Sequence, residues 1–118
     1  MTEPAPLAPA YPPGFSIAPV ILLVDDEPNV LSALRRLLRP SGYNVLTAES
    51  GTAALALLEA QAVDLIISDM RMPGMNGAEL LARTRERWPA TMRLLLTGYA
   101  EVSSAIAAIN EGGIYRYI

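Results

Sequence analysis

The sequence predicts an α/β protein built on a doubly wound, five-stranded parallel sheet with helices on both faces. Three observations predict it. Apolar runs of strand length recur along the chain, continuous rather than alternating, as in strands buried on both sides. Stretches with helical apolar spacing alternate with them. The connections between the two kinds of segment are short and carry Gly, Pro, Asn or Ser.

The first nineteen residues contain Pro4, Pro6, Pro9, Pro12, Pro13 and Pro19. Proline fixes φ and has no amide donor, so residues 1–19 read as a disordered or polyproline-like leader, with the folded domain over 20–118. Val20 to Val24 is the first strand. Pro28 suits the first turn of a helix, along which Val30, Leu34, Leu37 and Leu38 recur at helical spacing. Pro40-Ser41-Gly42 stops that helix. Tyr43 to Ala48 is the second strand, and Ser50 caps a second helix ending near Ala60. Val63 to Ser68 is the third strand, followed by a loop from Met70 to Asn76. Asn76, with Glu79 three residues on, has the pattern of a capping box for a helix reaching about Trp88. Met92 to Thr97 is the fourth strand. Val102, Ala105, Ile106 and Ile109 mark a fourth helix, Gly112-Gly113 ends it, and Ile114 to Ile118 starts a fifth strand.

The composition removes several function classes. With 118 residues the chain has room for one small domain, and 52% hydrophobic residues suffice for a core. There is no Cys, which excludes disulfides, thiol nucleophiles and zinc-cysteine sites, and no His, so any imidazole chemistry must come from another molecule. All nine cationic residues are Arg, and the net charge of −3 argues against direct nucleic-acid binding by this segment. No apolar run has the length of a membrane span, and the N-terminus has no secretory pattern, so a cytoplasmic location is expected.

Chemistry is expected at the carboxyl ends of the strands, where open α/β sheets bind ligands. Asp25, Asp26 and Glu27 follow the first strand, and Asp69 follows the third. In a flavodoxin-like strand order 2-1-3-4-5 those strands are neighbours, so their acids converge. Close aspartates repel unless a counter-cation is present. A hard divalent ion such as Mg²⁺, held by carboxylates, a carbonyl and waters, meets that need and suits phosphoryl transfer. Glu27 is read more simply, as an acid at a helix N-terminus. Thr97 closes the fourth strand beside Gly98, where its hydroxyl could reach a phosphoryl oxygen. Tyr117 lies in the fifth strand at the sheet edge.

The segments ILLVDDEPNV, DLIISDMRMPGMNGAELL and LLLTGYAEVSSAIAAINEGGIYRYI resemble the bacterial response-regulator receiver domain of two-component signalling, from Val20 to the C-terminus. The resemblance implies that Asp69 is the phosphoacceptor and that Asp25 and Asp26 hold Mg²⁺. It implies that Arg71 offers its backbone carbonyl to the metal, and that Thr97 and Tyr117 form a switch pair. Pro73 and Gly77 match the family's loop after the acceptor. The implied partners are a sensor histidine kinase and an output domain. The family pattern continues into a lysine-proline step and a final helix, whereas this chain stops at Ile118 and has no Lys. The expectation is therefore a receiver cut within its fold, its last helix missing and an apolar face left to self-associate as a homodimer. The alternative function is a receiver-like interaction or dimerisation module that is not phosphorylated. A Mg²⁺-dependent phosphohydrolase fits less well, since its nucleophile would follow the first strand with an acid two residues on. No turnover enzyme is expected.

Overall fold

The computed structural model describes residues 18–96. The segments assigned to the fourth helix and fifth strand, with Thr97 and Tyr117, lie outside the described residues, as do residues 1–17 of the leader.

The described chain runs β1 (Val20–Val24), α1 (Pro28–Leu38), a 3₁₀ turn (Arg39–Ser41), β2 (Asn44–Ala48), α2 (Gly51–Ala60), β3 (Leu65–Asp69), α3 (Gly77–Arg87) and β4 (Met92–Leu96). All pairings are parallel and the strand order is β2-β1-β3-β4. This is the order expected for the first four strands. β1 is central, and Ile21, Leu22 and Leu23 are wholly buried because both faces of the strand are covered.

Pleating divides the apolar residues between two layers. Ile21 and Leu23 of β1 and Leu65 and Ile67 of β3 pack under α1 against Leu31, Leu34 and Leu38. Leu22, Val24 and Ile66 face the other way, against Ala54 and Leu58 of α2 and Leu80 of α3. One sheet therefore supports two cores, with α1 on one face and α2 and α3 on the other.

The local signals held at most helix ends. Ser50 Oγ accepts from Ala53 N at 3.1 Å. The box at α3 is complete: Asn76 Oδ1 accepts from Glu79 N at 2.9 Å, and Glu79 Oε1 accepts from Asn76 N at 3.0 Å. Gly42 ends the first helical unit at φ 87°, a left-handed backbone that suits glycine. Replacing Asn76 by Ala removes one half of the reciprocal pair and is expected to lower stability by about 1 kcal/mol, read as a lower urea midpoint at unchanged slope.

Four local expectations need correction. Leu37 is 52% exposed, and Leu31 takes its place in the core, since Leu31, Leu34 and Leu38 form the stripe facing the sheet. β2 starts at Asn44 rather than Tyr43, after the left-handed turn at Gly42. Asn44 N donates to Pro19 O at 2.9 Å, because proline lacks a donor yet keeps its carbonyl. β3 spans Leu65–Asp69 rather than residues 63–68, with Asp64 tied to Val20 through its own N–H and through its carboxylate, which accepts from Val20 N at 2.8 Å. Asp69 is consequently a ladder residue opposite Leu96, not the first residue of a loop. Among the described residues no helix is long and apolar enough to cross a membrane.

Candidate metal centre

The register of the sheet assembles the acids. Val24 of β1 lies beside Ser68 of β3, so the residues that follow, Asp25 and Asp69, leave the same edge of the sheet. Carboxylate oxygens of Asp25, Asp26 and Asp69 all lie within 4.8 Å of one another. They line a cleft of about 380 Å³ whose wall includes Arg71 and whose apolar floor includes Ile67 and Leu96. Val30 and Leu34 of α1 border the same cleft, which places it on the α1 side of the sheet. Asp25, Asp26, Asp69 and Arg71 thus all border one cleft; Arg71 is exposed and Asp25 and Asp69 are half-buried.

Each acid has a distinct setting. Asp25 N donates to Ala48 O at 3.1 Å, which fixes the backbone where β1 ends. Its carboxylate accepts from Glu27 N at 2.9 Å. Burial raises the Asp25 pKa above its usual 3.8; the Glu27 amide bond opposes this, and the charges of Asp69, Asp26 and Glu27 reinforce it. Glu27 occupies the N-cap position of α1 as expected, but its side chain makes no capping bond. Asp25 takes up the Glu27 amide instead, so the acid that serves this turn lies two residues earlier.

The donor set suits a hard cation. Oxygen ligands from three carboxylates meet in one cleft, and at least one of them resists ionisation there. The sign of the Asp25 shift makes a testable statement about stability without metal. A carboxyl whose folded pKa is raised stabilises the fold fully below the unfolded value, and that contribution is lost as pH rises through the folded value. In chelator-treated protein, the Asp25 contribution to stability should therefore decline as pH climbs from about 3.8 through its raised folded value, and Asp25→Asn should remove that contribution. Thermal melting across that window is the measurement. A variant melting lower than the parent at neutral pH without metal would contradict it.

Two residues behind the cleft hold the Asp69 carbonyl: Ser68, which no sequence motif singled out, and Gly77, expected only as a match to the family's loop. Ser68 is wholly buried, and its Oγ donates to Asp69 O at 2.9 Å. Gly77, the first residue of α3, leaves room for that same carbonyl, since a β-carbon there would collide with Asp69 O. The only sequence signal was a hydroxyl closing the apolar run Leu-Ile-Ile.

The chain matches the family model described as the response regulator receiver domain over residues 21–118. The hydrogenase transcriptional regulatory protein HoxA of Cupriavidus necator is 47% identical over 98 residues, covering 83% of this chain and 20% of its own length. The signal receiver domain of an HD domain-containing protein from Pseudomonas fluorescens Pf-5 superposes with a TM-score of 0.68 at 44% identity, over 86% of this chain and 74% of that one. The response regulator protein TrrA from Thermotoga maritima, crystallised in complex with Mg²⁺-BeF, gives a TM-score of 0.66 at 36% identity, over 78% of this chain and 80% of that one. The chain spans about a fifth of the length of the curated relatives it matches.

Proposed function

Because the chain belongs to the response regulator receiver domain family, we propose that it is a phosphoryl-accepting switch of a two-component system. Asp69 takes the phosphoryl group from a sensor histidine kinase in a Mg²⁺-dependent reaction. The convergence of three carboxylates within 4.8 Å, one of them on a strand terminus, carries this reading. The family match and the Mg²⁺-BeF complex of TrrA support it.

In the reaction an Asp69 carboxylate oxygen attacks phosphorus in line with the departing group. The new bond is an acyl phosphate, and the phosphorus–nitrogen bond of the donor histidine breaks with its electron pair leaving on the imidazole. Pairing of Asp69 with Leu96 in the ladder holds the nucleophile on rigid backbone. Asp25 and Asp26 would hold Mg²⁺ with Asp69 and the Arg71 carbonyl. When bound, the ion balances the charge on the phosphoryl oxygens and on the acids. Thr97 and Tyr117 would couple the added charge to a change in partner affinity, by shifting the population between two states rather than by refolding.

The relatives bear names of transcriptional regulators, so an output acting on transcription is the proposed consequence in the whole protein. A cytoplasmic location and a signalling rather than turnover role belong to the same proposal. The test is incubation of the chain with Mg²⁺ and acetyl phosphate, followed by intact mass. The expected result is a gain of one phosphoryl group that does not form when Mg²⁺ is chelated beforehand. No gain in the presence of Mg²⁺ would leave the unphosphorylated interaction module as the better reading.

A further inference from the structure

Ser68 stands out because β3 is otherwise apolar up to Asp69. Pleating sends its side chain to the face of Ile66, among the residues packed under α2 and α3, and away from the acidic cleft. A hydroxyl buried in such a layer is costly unless it is hydrogen-bonded. Here it donates to the carbonyl of Asp69 at 2.9 Å. The same carbonyl lies against the α-carbon of Gly77, where a β-carbon would collide with it. One peptide group is thus gripped from behind the sheet by a hydroxyl and by the start of a helix.

That peptide carries Asp69, which lines the cleft. It joins Asp69 to Met70, whose N–H donates to Leu96 O at 3.1 Å and whose carbonyl accepts from Gly77 N at 3.0 Å. Its rotation would swing the Asp69 backbone and the start of the loop that carries Arg71. A carboxylate must attack in line, and displacements of about an ångström cost large factors in rate.

We infer that Ser68 is a positioning residue that locks the Asp69–Met70 peptide from the back of the sheet and so aims the Asp69 carboxylate; the inference rests on the switch reading above. The hydroxyl touches no reacting atom and acts through the carbonyl it binds.

The experiment compares Ser68→Ala, Ser68→Thr and Ser68→Val in the full chain. Thr and Val are nearly equal in size and differ by the hydroxyl, so packing strain is shared and the hydrogen bond is isolated. Initial phosphoryl uptake from acetyl phosphate is measured at saturating Mg²⁺, well below the melting temperature of every variant. Ser68→Ala should be slower than the parent by about tenfold, with Ser68→Val slower than Ser68→Thr by a similar factor. Hydrogen exchange should accelerate at the Met70 and Gly77 amides in the Ala and Val variants, while the Ile66 amide keeps its protection. Parental uptake by Ser68→Ala, equal rates for Val and Thr, or unchanged Met70 protection would each overturn the inference. If the parent itself takes up no phosphoryl group, the switch reading falls, and the exchange comparison alone decides whether Ser68 locks the peptide.

Discussion

Asp69→Asn is expected to reduce phosphoryl uptake to background while leaving the fold intact. Asparagine matches aspartate in shape, so the ladder contact with Leu96 and the Ser68 bond to the backbone carbonyl can both persist. The amide, however, offers no anionic oxygen to attack phosphorus. The substitution also removes one of three crowded charges, so Asp25 should ionise more easily, since the Asp69 charge is among the causes of its raised pKa. Mg²⁺ affinity should fall without vanishing, because Asp25 and Asp26 remain. Intact mass after acetyl phosphate treatment, with a Mg²⁺ titration followed by amide shifts near residue 25, reads both effects. An adduct of undiminished yield in Asp69→Asn would move the acceptor role to another carboxylate.

Gly77→Ala should destabilise the fold and disturb the cleft together. On helix propensity alone the change would help, since alanine is favoured over glycine in a helix by up to about 1 kcal/mol. The tertiary contact reverses the sign. A β-carbon at Gly77 would overlap Asp69 O and lie 2.7 Å from Leu95 Cδ1. Leu95 can turn aside, but a backbone carbonyl held by Ser68 cannot, so α3 must lift from β3 or the strand end must shift. Such overpacking typically costs about 1–3 kcal/mol. The urea midpoint should drop, and phosphoryl uptake should slow under conditions where the variant is still folded. Gly51→Ala is the informative contrast: its nearest obstacle is the Met75 thioether, at 2.7 Å, on a flexible side chain, with the Met75 β-carbon behind it at 3.1 Å. A midpoint for Gly77→Ala at or above the parent's would mean that α3 is not seated on the Asp69 carbonyl.

The two substitutions act on one small region from opposite sides. Asp69 projects into the cleft beneath α1, whereas its carbonyl is held on the side of α2 and α3. Chemistry and stability therefore meet at the last rung of β3. Burial raises the Asp25 pKa and charge crowding adds to it, since the acids that serve the proposed ion repel one another without it.

Read from the residues alone, the order of the described strands and helices, the glycine stop at Gly42, the caps at Ser50 and Asn76 and the acids at the ends of β1 and β3 were all legible. These are local properties: a hydroxyl or amide reaches backbone three residues away, and an apolar run of five residues has few other uses. Adjacency of Asp25 and Asp69 also followed from the sequence, through the general rule for parallel strand order. The remaining features depend on register and on contacts between distant segments. Leu31 rather than Leu37 faces the sheet because the rotation of α1 is set by the surface it packs on. Asp69 belongs to the ladder because Leu96 is there to pair with it. Ser68 and Gly77 acquire meaning only when α3 closes on the end of β3, since neither a lone serine in a strand nor a glycine opening a helix names the carbonyl it will meet.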